Sequence, residues 1–208
     1  MSNQFMMPSS SSVKTNKYMH ATKIKHSTIL IDPYKWKEPI KWTVGGLINY
    51  ASELTADNFI VAYEYFGVST DGTGGLNGEG TYSWDSSKLT ITYTPGNNGG
   101  GIYCNAPLYA SLYYCYGKKR VSLGQKTYGN YNLSSPLSWD ITSLADYRYM
   151  NSSDFVPTLS RYYKNSSESF MIYGFDVNAA SNGVVRVWAV NPPSYQNCSL
   201  AVSLMAFV

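Results

Sequence analysis

Histidine, cysteine and charge are all scarce in this chain, and each shortage closes off a class of function. Two histidines, His20 and His26, are the whole complement, both near the N-terminus. A Ser-His-Asp or Cys-His mechanism would have to draw its general base from that one stretch. There is no His-x-x-x-His, no Cys-x-x-Cys and no EF-hand-like acidic loop, so metal chemistry has no legible ligand set. The cysteines, Cys104, Cys115 and Cys198, are three, which neither builds a disulfide framework nor carries zinc spacing. They read as reduced, small apolar residues. No apolar run approaches the ~18 residues that a membrane-spanning helix needs, and the opening Met-Ser-Asn-Gln-Phe-Met-Met-Pro lacks the pattern of a signal peptide. The reading is therefore a chain with no catalytic, cofactor or metal residues. Its four Asn-x-Ser sequons, at Asn132, Asn151, Asn165 and Asn197, are read as chance in an Asn- and Ser-rich chain.

Charged residues make up 14% of the 208, against about 25% in an ordinary globular protein. What covers the surface instead is Tyr, Ser, Asn, Thr and Gly, with 20 tyrosines. Tyrosine pairs an apolar ring with a polar tip and suits half-wet strand positions and protein contacts. The net charge of +3 is small, but Lys14, Lys17, Lys23, Lys25, Lys35, Lys37 and Lys41 all lie in the first 41 positions. Residues 1–25 read as a flexible basic arm, and residues 26–208 as one folded domain. Lys14, Lys17, Lys23 and Lys25 are the candidate contacts to phosphate or to an inner surface.

After residue 26 the pattern is short β runs between turn signals. The candidate strands are 27–31, 42–50, 59–68, 88–93, 108–116, 170–177 and 184–190. One helical turn capped by Ser52 or Thr55 fits within 51–57. The Gly-rich stretches 71–80 and 94–101 lead into no helix and no Gly-Lys-Ser/Thr, so they read as strand connections rather than phosphate loops. Residues 117–169 form the longest stretch without a clear strand, which predicts a long contact-bearing connection. Asn182-Gly183 between two β-rich runs predicts a tight hairpin, because both residues tolerate positive φ. Pro192-Pro193 cannot donate to a ladder and is expected to end the pairing.

The run Val185-Arg186-Val187-Trp188-Ala-Val-Asn-Pro192-Pro193 resembles the last strand of the major capsid protein that surrounds the five-fold axes of picornaviruses. The stretch from Ile102 to Gly117, with its proline and aromatic run, looks like an upstream segment of the same family. The resemblance covers roughly residues 100–193. It implies an all-β, eight-stranded antiparallel jelly-roll sandwich of the viral capsid type, from a distant insect, algal or environmental picorna-like virus. It also implies assembly with sister capsid proteins and with copies of itself into an icosahedral shell around genomic RNA. Outer loops, part of 117–169 among them, would meet a host receptor, and the protein would reside in the virion or, during assembly, the host cytoplasm. The C-terminal Met-Ala-Phe-Val208 lacks the Gln or Glu that the viral main protease leaves, which implies the last product of a reading frame. Arg186 and Trp188 share one face of their strand and are expected either to stack or to act apart, Trp packing and Arg at the rim. The competing reading is a receptor- or carbohydrate-binding β-sandwich, such as a phage fibre head or a lectin-like domain, for which Tyr-rich loops are equally suited.

Overall fold

The computed structural model describes residues 23–32, 35, 38–68, 72–75, 77–96, 108–128, 134–164, 170–180, 182–190 and 198–208. The fold is all-β. The described strands are β1 (Ile24–Ile31), β2 (Ile40–Thr43), β3 (Phe59–Val68), β4 (Gly72–Gly75), β5 (Asn77–Asp85), β6 (Thr90–Gly96), β7 (Leu108–Tyr114), β8 (Arg120–Tyr128), β9 (Leu137–Asp140), β10 (Phe155–Lys164), β11 (Phe170–Ile172), β12 (Phe175–Ala180), β13 (Val184–Ala189) and β14 (Cys198–Phe207). They form four antiparallel sheets, ordered β1-β7-β3-β11, β4-β10-β14-β8, β2-β6-β5 and β12-β13-β9. These fourteen described strands exceed the eight that a single jelly roll supplies.

The second seven strands repeat the first seven. Replacing β1, β7 and β3 by β8, β14 and β10 turns one four-stranded sheet into the other, and β2-β6-β5 becomes β9-β13-β12. The registers repeat as well. Phe59 faces Tyr114 and Ile60 faces Tyr113, while Phe155 faces Ala206 and Val156 faces Met205. Both β3 and β10 then slip by one residue at the same point, at Glu64 and at Ser160. Trp42 faces Ile91 as Trp139 faces Val185. The fourth strand of each repeat is exchanged: β4 pairs with β10, and β11 pairs with β3. The two halves are therefore interlocked rather than joined end to end.

Local sequence explains why the repeats start their central strands alike. Thr55 and Asn58 form a capping box on the short 3-10 turn Ala56–Asn58, and Asn151 and Asp154 form one on Ser152–Asp154. In each, a short polar side chain satisfies N–H groups that the turn leaves bare. The tight turns into β6 and β13 also agree, since Leu89 and Gly183 both take positive φ, at 50° and 82°. Their carbonyls accept from Val44 and Ile141 at 2.8 and 2.9 Å. A Cβ on Gly183 would lie 2.5 Å from the Thr142 methyl. Gly183→Ala is therefore expected to lower stability by about 1–3 kcal/mol, through backbone strain and overpacking together; urea denaturation of the variant measures it.

The central strands of each four-stranded sheet bury residues on both faces. Along β3 the odd residues Phe59, Val61 and Tyr63 enter the larger apolar cluster, shared with Trp42, Ile91 and Tyr93 of the three-stranded sheet. The even residues Ile60 and Ala62 enter a smaller cluster with Tyr113, Cys115, Val156, Met205 and Phe207. That cluster draws on both repeats at equivalent positions, Ile60 with Val156, Tyr113 with Met205, Cys115 with Phe207. It is the seam where the two halves pack. Reciprocal cations close the seam: Lys23 Nζ donates to Phe155 O at 2.8 Å, and Arg120 Nη1 donates to Phe59 O at 2.7 Å.

Several sequence expectations change. β3 and the β12–β13 hairpin lie where the patterning puts them. The stretch 42–50 is strand only to Thr43 and then a 3-10 helix, Gly45–Tyr50. The stretch 170–177 is broken at Gly174, whose φ of 119° interrupts the strand. Residues 117–169 are no long connection, because they contain β8, β9 and β10. The arm ends sooner than position 25, since Ile24 and Lys25 already pair with Tyr114 and Tyr113 in β1. Residues 1–22, with Lys14 and Lys17, lie outside the described residues, as do Cys104, Pro192 and Pro193. Finally, the strand carrying Val185–Trp188 is not the last, because β14 follows it.

Candidate functional site

The described site of richest chemistry is a groove on the β1-β7-β3-β11 sheet, beside the seam. Lys25, Thr28, Glu64, Tyr109 and Tyr173 line a cavity of about 320 Å³. Glu64 arrives there because the slip in β3 falls on it. In a bulge the extra residue leaves the ladder and is re-aimed, which suits a carboxylate in an otherwise apolar strand. Its Oε2 accepts from Lys25 Nζ at 2.6 Å and from Ser111 Oγ at 2.8 Å, and its Oε1 accepts from the Tyr113 hydroxyl. Thr28 Oγ1 lies 2.9 Å from Ser111 Oγ. Since Ser111 gives its one proton to Glu64, Thr28 is the donor in that bond. The result is a fixed carboxylate with one ammonium and two hydroxyls around it, open to solvent on the tyrosine side.

A second, smaller cavity of about 80 Å³ adjoins it, lined by Lys23, Glu64, Tyr113 and Phe155 among others. The Lys23 ammonium sits 4.9 Å from the centroid of the Tyr113 ring. Burial lowers its pKa, with Glu64 and Asp154 opposing that shift. Of the four candidate phosphate contacts, Lys23 is thus committed inside the fold. Lys25 is half-exposed but bound to Glu64. Neither keeps the unshared charge that a phosphate contact needs.

The family-motif strand is structural in its burial. Val185 and Val187 are fully buried, Arg186 is exposed and Trp188 is half-buried. Among the described residues no ring–cation contact joins Arg186 and Trp188, and Arg186 is exposed. Among the described residues no three His, Cys, Asp or Glu side chains gather as metal ligands, and no helix is long and apolar enough to cross a membrane. Cys115 is a buried thiol whose pKa burial pushes up to about 11, so it is far from a thiolate nucleophile at neutral pH. The sequence does signal Glu64 in one way, as the lone charge within Phe59-Ile-Val-Ala-Tyr-Glu-Tyr-Phe. Thr28, Tyr109 and Tyr173 carry no signal of their own and are assembled by the sheet.

The buried tyrosines give a pH prediction. Tyr82 and Tyr128 are each pushed up to about 12, mainly by burial, and Tyr63 and Tyr93 are raised as well. The Tyr82 hydroxyl also accepts the Val61 N–H at 2.9 Å. Because the folded-state values lie above the ordinary value of 10.0, the native state holds these protons where the unfolded chain has released them. Their stabilisation is full below about pH 10 and is lost as the pH rises through about 12. Titration at the tyrosinate absorption band is expected to show a group of tyrosines that ionise only as the circular dichroism of the fold disappears. A smooth titration of all 20 with the fold intact would contradict this burial.

No protein-family model, no curated protein and no solved structure matches this chain.

Proposed function

We propose that the chain is a structural capsid-type subunit that assembles with copies of itself and sister subunits into a closed shell around RNA. The observation that carries this reading is the strand winding within each repeat. A jelly roll is a long hairpin rolled up, so its first strand pairs with its last and its second with its penultimate. In the first repeat β1 pairs with β7, β7 with β3, and β2 with β6. In the second, β8 pairs with β14, β14 with β10, and β9 with β13. In this reading each repeat is a shortened jelly roll, with one strand position filled by its neighbour. The Val-Arg-Val-Trp motif lies on a penultimate strand of that winding, so its resemblance to a final strand no longer adds support. Scarce charge and plentiful tyrosine do, because a subunit of a shell covers most of its surface with other protein.

With Lys23 committed to Phe155, RNA contact in this reading falls to the residues before it, Lys14 and Lys17. Electron microscopy of the purified protein, with and without RNA, tests the proposal. Closed particles whose RNA resists nuclease are expected, and removal of residues 1–22 should reduce RNA content while β1–β14 stay folded. A protein that stays monomeric in sedimentation at all concentrations and with RNA overturns it.

A further inference from the structure

We propose that Tyr50, Tyr116 and Glu53 form an arginine socket, a surface corner that takes the guanidinium of a second copy of this chain. This rests on the shell reading and names one of its contacts between subunits.

The corner lies where β7 runs out and the 3-10 helix Gly45–Tyr50 ends. The Tyr50 and Tyr116 rings meet with centroids 4.7 Å apart and planes tilted by 51°. In contact with each other they are still 43% and 42% exposed. The Tyr116 hydroxyl donates to Glu53 Oε2, which holds the carboxylate beside the rings and raises the Tyr116 pKa. Among the described residues Glu53 joins no ion pair. Ile48, on the same 3-10 helix as Tyr50, is 66% exposed. Exposed tyrosine beside an apolar side chain is the composition of the centre of a protein contact.

The same turns close without these groups in the second repeat. Val44 and Ile141 accept from Leu47 and Leu144, each at 2.9 Å, so exposed Ile48 answers to Ala145. Leu54 and Met150 each precede the N-cap residue of a capping box, which sets Glu53 against Tyr149. Cys115 and Phe207 are equivalent in the seam, which sets Tyr116 against Val208. The fold therefore stands with no carboxylate at that place, and the corner of the first repeat serves something other than folding.

The molecule itself shows what completes such a corner. Arg120 lays its guanidinium 3.8 Å from the centroid of the Tyr82 ring and donates through Nη2 to Asp57 Oδ1 at 3.3 Å. Tyrosine ring, guanidinium and carboxylate are thus joined once within the chain. At Tyr50, Tyr116 and Glu53 the rings and the carboxylate stand without the cation. A guanidinium suits them because it is planar: it stacks on a ring while its edge donates to a carboxylate. A lysine ammonium is instead a compact, strongly hydrated point charge. The chain also carries the missing half. Of its four arginines, Arg120 is bound and Arg148 donates to the Tyr147 hydroxyl. Arg161 and Arg186 are exposed and join no ion pair among the described residues. Arg186 lies between Asn178 and Ser138 in its sheet, so no neighbour across the ladder balances its charge.

Sedimentation velocity and electron microscopy of the full chain test this. Glu53→Arg is expected to weaken association roughly tenfold or more, and Glu53→Gln or Tyr116→Ala about three- to tenfold. Both positions are exposed, so the variants should melt as the parent does. Charge exchange identifies the arginine. Arg186→Glu or Arg161→Glu is expected to weaken association alone and to restore it when combined with Glu53→Arg. Parent-like association of Glu53→Arg and Glu53→Gln overturns the socket and leaves the shell reading intact, and so does the absence of rescue by either arginine. A parent chain that stays monomeric at all concentrations and with RNA overturns both.

Discussion

Removing Cys198–Phe207 is expected to abolish folding outright. β14 lies between β10 and β8, so its loss strips two ladders at once. It is apolar on both faces: Leu200, Val202 and Leu204 enter the larger cluster, Met205 and Phe207 the seam. Each such side chain contributes about 1.5–3 kcal/mol by burial, and five together match the 5–15 kcal/mol by which a whole domain is usually stable. Circular dichroism and a dispersed NMR spectrum measure the outcome. A truncated chain that still melts cooperatively would show that β14 is not the centre of its sheet. A graded form of the same test uses the repeat. Leu112→Ala and Leu204→Ala, at equivalent and fully buried positions, are expected to cost about 2–5 kcal/mol each, and to cost similar amounts.

The second large effect is expected at Asp154. Its carboxylate is 3% exposed, accepts from Lys118 Nζ at 2.6 Å through Oδ1, and closes the capping box through Oδ2 to the Asn151 N–H at 2.9 Å. Lys118 lies on the crossing between the repeats, and its own carbonyl accepts from Asn58 Nδ2 at 2.7 Å. Asn58 is the residue equivalent to Asp154 in the first capping box. Asp154→Ala leaves a largely buried ammonium without its counter-ion and removes the cap, so a loss of about 3–5 kcal/mol is expected. Asp154→Asn keeps an acceptor for the cap and should cost less. Equilibrium denaturation of the two variants, with Asn58→Ala as the comparison, separates the cap from the ion pair. If Asp154→Ala and Asn58→Ala prove equal, the ion pair contributes nothing beyond the cap.

The sequence exposed those elements whose patterning was local. β3 reads as one apolar run, and the β12–β13 hairpin announces itself through Asn182-Gly183. β10 does not read as a strand because Pro157 breaks the expected pattern. The structure tolerates that proline because β4 pairs only with Arg161–Lys164, so at position 157 one edge of β10 carries no ladder. The equivalent Val61 sends its N–H to the Tyr82 hydroxyl instead of to a strand, and a proline has none to send. β14 was missed for a different reason: being buried on both faces, it lacks the alternation that marks a half-exposed strand.

The repeat escaped sequence reading because it is kept in register and in a few anchors, and hardly in identity. Leu108-x-x-Ser-Leu112 returns as Leu200-x-x-Ser-Leu204, Trp42 as Trp139, Phe59 as Phe155, and little else is shared. Burial asks only for an apolar side chain of suitable volume at each position, so two copies of one sheet diverge freely while their ladders stay aligned.

What the sequence alone determined is the class: β-rich, poor in charge and histidine, with a hairpin turn at Asn182-Gly183. Those are properties of single residues and their neighbours along the chain. Tertiary structure alone decided that the chain is two interlocked copies of one winding, and that Glu64, Thr28, Tyr109 and Tyr173 stand together. Both depend on pairing between strands far apart in sequence, where the chain's order carries no record of which edges meet.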